Sequence, residues 1–351
     1  MSFWEVLPAG IRLAVLFNSA GAMKILLTGA TGYIGRRLQE RLLSDDSVHL
    51  RLFVRNSRKV HPAAGNRIDL FEGDVLDQKS LQDALKGMDA AYYLIHSMGS
   101  GADFEQLDRK SARNFLEACI ENKVKRIIYL GGLGEKDTAS KHLRSRLETG
   151  EILSSKPDQI QTVWFRAGVI IGSGSASFEI IRHLVQKLPV MITPRWVRTR
   201  TQPVGISDVL EYLFQAKDLA YKKNLMVDIG SEQMKFKDML LDAAHVMGLK
   251  RLIIPVPVLS PWLSSYWLML MTPVPFPLAR ALIQGLKSET TVINENARKY
   301  FPRVHPLSYE GSFQKALKEI EKNQVISRWC DSSAQRTCDI KGKDSLESAH
   351  F

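Results

Sequence analysis

Apolar and polar positions alternate in two rhythms over the first half of the chain. Met23–Thr28 is a compact apolar run that stops at glycines, the mark of a buried strand. Tyr33–Ser44 then places Ile34, Leu38, Leu42 and Leu43 at helical spacing. The two rhythms repeat. Strands are predicted over Val48–Val54, Ile68–Phe71, Ala90–Ile95, Arg126–Leu130 and Thr162–Phe165. Helices are predicted over Ser80–Lys86, Asp103–Asn122 and Leu143–Ser154. Short-range strand–helix alternation calls for an α/β fold, a doubly wound parallel sheet with helices on both faces.

Beyond Gly168 the alternation loosens. Phe178–Leu188 and Ser207–Ala216 read as helices and Leu225–Ile229 as a strand. Leu252–Ala279 carries no charge but is broken by six prolines, so a membrane-spanning helix is not expected there. A packed helix is the plainer reading, and a substrate lid or membrane-facing patch the bolder one. From about residue 321 the chain turns polar and reads as a disordered tail. The expected organisation is therefore an extension over 1–22, a nucleotide-binding domain over 23–172, a smaller α+β substrate-side region over 173–320 and a tail over 321–351. The apolar run Leu13–Phe17 is short for a secretory signal, so Met23 is the expected start of the folded domain.

Charge narrows the partners. Lys and Arg number 48 against 37 Asp and Glu, a formal charge of +11. The excess lies in the folded body and forms no basic tail or block, so nucleic acid is not an expected partner. The three cysteines, Cys119, Cys330 and Cys338, form no framework and no metal-ligand spacing. A reducing, cytoplasmic setting with no bound metal is expected. Composition does not set the oligomeric state.

The strongest local signal is Thr28-Gly29-Ala30-Thr31-Gly32-Tyr33-Ile34-Gly35, between the first strand and the first helix. Gly29 permits the turn, Gly32 a close approach to pyrophosphate, and Gly35 close packing of helix on strand. The helix N-terminus offers backbone N–H groups to the anion. The second strand ends Arg55-Asn56-Ser57-Arg58-Lys59, where NAD-binding chains carry an acid. Guanidinium groups there suit a 2′-phosphate, so NADP is expected over NAD, with Arg55 and Arg58 as its partners; a solvated loop is the alternative. Asp74 is placed to accept from the adenine amino group or to serve as a turn aspartate.

These residues resemble the atypical branch of the short-chain dehydrogenase/reductase superfamily. The glycine loop is similar to its TGxxGxxG motif, and Gly73-Asp74-Val75-Leu76-Asp77 to its adenine-side segment. Arg166-Ala167-Gly168-Val169-Ile170-Ile171-Gly172 resembles its RPGxxxG segment. Tyr92-Tyr93-Leu94-Ile95-His96-Ser97-Met98 with His142-Leu143-Arg144-Ser145-Arg146 looks like a bacterial NAD(P)H-binding group. That group is related to NmrA-like proteins and the Rossmann accessory subunit of respiratory complex I. The resemblance implies a Rossmann fold and a bound nicotinamide cofactor.

The sequence departs from the catalytic pattern. Glycine stands where a serine follows the fifth strand, and His142 and Arg146 occupy the Tyr-x-x-x-Lys spacing. Histidine transfers protons near neutral pH, whereas arginine holds its charge. His96, His142 and Arg146 are thus the candidate catalytic residues, with structural histidines as the plainer reading. Arg195, Arg198 and Arg200 form a further basic cluster, suited to an anionic group or to solvent. Three functions stay open: a reductase for an anionic or apolar small molecule, a non-catalytic NADP-bound sensor or assembly factor, and a peripheral membrane protein handling quinone-like lipids.

Overall fold

A computed structural model describes residues 21–60, 66–96, 103–256, 284–285 and 288–330, with backbone alone at 195 and 196. The first half follows the expected alternation: β1 (Met23–Thr28), α1 (Tyr33–Leu43), β2 (Val48–Val54), β3 (Ile68–Glu72), α2 (Gln78–Leu85), β4 (Ala90–Tyr93), α3 (Phe104–Glu121), β5 (Arg126–Gly132), α4 (Lys141–Leu153) and β6 (Gln161–Ala167). The fourth strand is shorter than expected, ending at Tyr93, which leaves Leu94–His96 as a loop at its C-terminal end.

The second half adds β7 (Ile170–Ile171), α5 (Ala176–Lys187), β8 (Val190–Pro194), β9 (Arg200–Thr201), β10 (Val204–Gly205), α6 (Ile206–Ala216) and β11 (Leu225–Ile229). It continues with β12 (Met234–Lys235), α7 (Phe236–Val246), β13 (Leu252–Val256), α8 (Asn296–Tyr300) and α9 (Tyr309–Glu321). The main sheet has seven strands in the order β11-β6-β5-β4-β1-β2-β3. All its pairings are parallel. β11 lies beyond the Gly172 boundary expected from the sequence, yet it pairs with β6 from Leu225 opposite Val163 to Ile229 opposite Ala167.

Both sheet faces are dry, as an all-parallel sheet requires. Ile25 and Leu27 of β1 face one core with Leu38 and Leu42 of α1 and Val209 and Leu213 of α6. Leu26 points the other way, toward Leu81 of α2 and Phe115 of α3. Each fully buried leucine contributes about 1.5–3 kcal/mol. A third core joins Phe178 and Ile181 of α5, Met239 and Leu240 of α7 and Phe313 of α9. Arg37 of α1 ties the halves together: it donates to Ser173 O and Oγ at 2.9 and 2.8 Å and to Ser327 Oγ at 3.1 Å.

Three expectations change. Leu252–Val256, read as the start of a helix, is a strand paired with β8; branched Ile253 and Ile254 suit it and Pro255 sits near its end. The rest of that apolar run, 257–283, lies outside the described residues. The polar segment after 321 packs through Cys330. Ser327 is buried and donates to Tyr33 O at 2.9 Å, and Trp329 N donates to Gly174 O. The polar composition hid this: Ser327 is anchored by hydrogen bonds, while Trp329, packed on the third core, and buried Cys330 add apolar contact. Cys330 is disulfide-bonded, against the reading of cysteines without a framework, while Cys119 is free and buried. Residues 1–20 and 331–351 lie outside the described residues. Among the described residues no helix is long and apolar enough to cross a membrane.

Candidate cofactor cradle and histidine corner

The glycine loop is built by backbone contact. Gly29 adopts φ +67°, and a Cβ there would meet Leu94 O at 2.3 Å. A Cβ on Gly35 would stand 2.1 Å from Gly29 O. Neither position admits a side chain. Gly32 differs in degree: its Cβ would meet only Gly29 O, at 3.2 Å, a tight contact that a small shift relieves, so packing alone does not demand glycine there. Gly32 caps α1 without any side-chain hydrogen bond, leaving the first-turn N–H groups directed at an incoming anion. Thr28 Oγ1 donates to Tyr92 O at 2.9 Å and accepts from Leu94 N at 3.1 Å, locking the loop to the end of β4. The residues thus fit a pyrophosphate through bare backbone.

The named loop residues divide by role. The Thr31 carbonyl accepts from Arg36 Nε at 3.2 Å. Ile34 packs its side chain on the core. Tyr33 turns its ring inward, with the Arg37 guanidinium 5.0 Å from the ring centroid, and burial raises its phenol far above the ordinary value. Tyr33 and Ile34 therefore offer a ligand their backbone only. Arg36 escaped the sequence reading; it also donates to Lys59 O at 3.3 Å, so it bridges the loop to the turn after β2.

Arg55 and Arg58 are exposed beyond β2, on a turn that Asn56 caps by accepting from Arg58 N at 2.9 Å. Glu72, at the end of β3, accepts from Ser57 N at 3.1 Å, and that hydrogen bonding holds its carboxyl below the ordinary value. A carboxylate therefore stands beside the arginines, a feature the spacing argument overlooked. Asp74 Oδ1 accepts from Leu76 N at 2.9 Å, which makes it a turn aspartate. Val75 is buried in the second core and its carbonyl accepts from Asn114, so only its backbone faces outward chemistry.

At the C-terminal end of β4, His96 Nδ1 lies 2.9 Å from Asp108 Oδ2, and Ser145 Oγ donates to the same oxygen at 2.7 Å. His142 stands edge-on to His96 with ring centroids 6.1 Å apart, and stacks on Phe104 at 4.5 Å. His96 Nε2 and His142 Nδ1 are buried without a hydrogen-bond partner among the described residues. Burial lowers the His142 pKa, and electrostatic interaction with the neighbouring His96 ring lowers it further. The two sequence candidates are thus brought together, and an unforeseen carboxylate holds one of them. Asp108 had a signal: it sits on the buried stripe of α3, between Phe104 and Ala112. A carboxylate on an apolar stripe needs a partner.

Arg146 takes the lysine position but is turned to structure. Its Nη2 donates to Leu130 O at 3.3 Å, and its own carbonyl accepts from Tyr129 Oη at 2.8 Å. The two glycines at the serine's place lie close against neighbouring side chains. A Cβ on Gly131 would come 2.6 Å from Trp164 Nε1, and one on Gly132 would come 2.4 Å from Leu143 Cδ1. Of the second-half arginines, Arg198 and Arg200 are exposed. Arg200 pairs with Glu289 at 3.5 Å, an exposed contact of little energetic weight. The side chain of Arg195 lies outside the described residues.

Comparison with known proteins agrees with this geometry. A family model described as NAD(P)H-binding matches residues 29–163. The UDP-glucose 4-epimerase of Rickettsia akari is 26% identical over 219 residues, 54% of this chain and 62% of that protein. The chain thus spans less than two thirds of that relative's length. Sanguinarine reductase of Eschscholzia californica is 24% identical over 263 residues, 61% of this chain and 91% of the relative. Among solved structures, a triphenylmethane reductase of Citrobacter superposes with a TM-score of 0.67 at 19% identity, covering 84% of this chain and 100% of the other. That likeness concerns the fold.

Proposed function

We propose, from the match of residues 29–163 to an NAD(P)H-binding family model, that the chain is an NADP(H)-dependent reductase of the atypical short-chain dehydrogenase/reductase type, acting on a small apolar or anionic molecule. One observation carries the reading: His96, held by Asp108 at 2.9 Å, and His142 present buried, unpartnered ring nitrogens to one corner beside the cofactor edge of the sheet. A bound nicotinamide supplies hydride; the corner supplies and takes the proton. Asp108 fixes the tautomer of His96, so that Nε2 is the free nitrogen. His142, in the tyrosine's place, is the candidate proton donor to the reduced centre. Arg146 is a fixed cation at the corner's edge. The match to sanguinarine reductase, which extends over 91% of that relative, favours reduction over epimerisation.

Arg55 and Arg58 favour a 2′-phosphate over the bare ribose hydroxyl, with Glu72 opposing them. Arg55→Asp is expected to weaken NADPH about tenfold, the loss of one charge-assisted contact, while NADH affinity holds or improves. Unchanged NADPH affinity would refute the assignment.

The sensor reading keeps one supporting fact, the packed Gly131 and Gly132 where a serine would stand. The decisive experiment follows NADPH oxidation by the purified chain against carbonyl and quinone acceptors. Turnover that His142→Ala abolishes supports the reductase. Tight NADPH binding with no turnover on any acceptor favours the sensor.

A further inference from the structure

Two parallel strands stand apart from the main sheet. β8 and β13 pair with Leu252 opposite Val190 and Ile254 opposite Ile192. Alternation turns Met191 and Ile253 inward, into the third core. The opposite face carries Val190 (47% exposed), Ile192 (56%), Leu252 (57%) and Ile254 (43%). Exposed apolar side chains on a soluble surface are ordinarily scattered singly. Here four of the nine exposed large hydrophobics among the described residues gather as two adjacent cross-strand pairs. The hydrophobic effect gives such a patch a standing reason to be covered.

Charge says by what. Residues 187–198 and 247–256, which contain the two strands and their flanks, carry Lys187, Arg195, Arg198, Lys250 and Arg251 and no carboxylate. Lys187, Arg198 and Lys250 are exposed. Among the described residues no ion pair engages them. Arg251 donates to Val185 O at 2.5 Å and Gln186 O at 3.2 Å, so it closes the end of α5 and sets the base of the patch. A second copy of this chain docked through the same face would oppose cation to cation, which disfavours a two-fold contact.

We infer that the β8–β13 face docks on an anionic bilayer surface. The four aliphatic side chains enter the boundary between headgroups and acyl chains, and the surrounding cations meet lipid phosphates. The proposed surface comprises Val190, Ile192, Leu252 and Ile254 with the exposed cations Lys187, Arg198 and Lys250 on the flanks of the two strands. It would hold the chain at a membrane without any spanning segment, independently of what the histidine corner does.

The test is flotation of the full chain with phosphatidylcholine vesicles, with and without phosphatidylglycerol. Binding is expected to the anionic vesicles only, and to fade as salt rises. Ile192→Glu combined with Ile254→Glu should weaken it by roughly tenfold or more. Lys250→Ala should weaken it by about fivefold. Both changes sit on exposed positions, so an unaltered melting temperature and unaltered NADPH binding show that the fold is intact. Absence of binding by the unmodified chain overturns the inference, as does equal binding by the double variant. A dimer in sedimentation that the double variant dissolves also overturns it, in favour of a second copy as the occupant.

Discussion

The glycine loop and the histidine corner lie at the same edge of one sheet but are made of different material. The loop is backbone: Gly29 and Gly35 exclude side chains at 2.3 and 2.1 Å, and what it offers a ligand is the N–H groups of the first turn of α1. The corner is side chain, assembled from the loop after β4, from α3 and from α4, with Asp108 at its centre. A backbone site depends on a few contiguous residues whose geometry cannot be varied. A side-chain site tolerates new residue types so long as donors meet acceptors. That contrast explains how a chain can carry the glycine loop while glycine, His142 and Arg146 stand at the serine, tyrosine and lysine positions of the superfamily it resembles.

Alanine at the loop glycines is the largest way to break the comparison. Gly35→Ala sets a methyl against Gly29 O, where only backbone can yield, and is expected to cost about 3 kcal/mol. NADPH affinity should fall by up to roughly a hundredfold. Gly32→Ala meets nothing closer than 3.2 Å, so the melting temperature should hold while NADPH affinity still falls. Thermal melts with and without NADPH separate the two. Equal melting losses in both variants would mean that Gly32 is a packing glycine too.

Asp108→Ala probes the corner with a smaller expected effect. It leaves His96 Nδ1 and Ser145 Oγ facing a cavity without their acceptor, at about 2 kcal/mol. NADPH binding should be untouched, because His96 and Ser145, which Asp108 holds, lie outside the glycine loop. Turnover on any accepted substrate should fall at least about tenfold, the loss of an oriented imidazole. Asp108→Asn keeps the shape and should recover most of the stability but not the turnover. Recovery of both would reduce Asp108 to packing.

The same division decides what could be read from the sequence. The strands and helices before Gly172 were legible because apolar runs and helical stripes are local patterns. The loop was legible because its glycines are contiguous. His96 and His142 could be singled out one at a time, but not their approach to 6.1 Å, because they stand 46 positions apart with α3 and β5 between them. Asp108 carried a legible anomaly, a carboxylate on a buried stripe, and it passed unread. β11 was found as a strand, but its place beside β6 is a matter of topology. Ser327, in a polar segment with no apolar period, gave no signal at all, yet it is buried against Arg37 and Tyr33.

Restoring the missing serine is a milder probe. In Gly132→Ser the added atoms meet Leu143 Cδ1, the tip of a flexible side chain, so a loss of about 1 kcal/mol is expected. No gain in turnover should follow, since Arg146 donates to Leu130 O and no tyrosine faces the new hydroxyl at the His142 position. A gain would show that a hydroxyl at this position can still serve the corner's chemistry.

The smallest effect is the most diagnostic, because stability and activity should run in opposite directions with pH. His142 is half-buried, and burial first, then interaction with the His96 ring and last the Arg146 cation, hold its pKa below the ordinary value of about 6.5, against the opposing pull of Asp108 and Glu105. The unfolded chain therefore binds this proton more tightly than the folded one. The stability due to neutral His142 is complete above pH about 6.5 and is lost as pH falls through the lowered folded value. His183 on α5 is lowered in the same sense, by burial and Arg182, and adds to the slope. His142→Phe retains an aromatic ring against Phe104 and removes one titration, so its melting temperature should fall less steeply between neutral and mildly acid pH. If His142 is the proton donor, kcat/KM at saturating NADPH must instead rise over the same interval, because the form that donates is the form the fold disfavours. Melting curves and initial rates on one pH series measure both. A rate that climbs with pH alongside stability would remove His142 from the proton path and leave His96, oriented by Asp108, as the group to pursue.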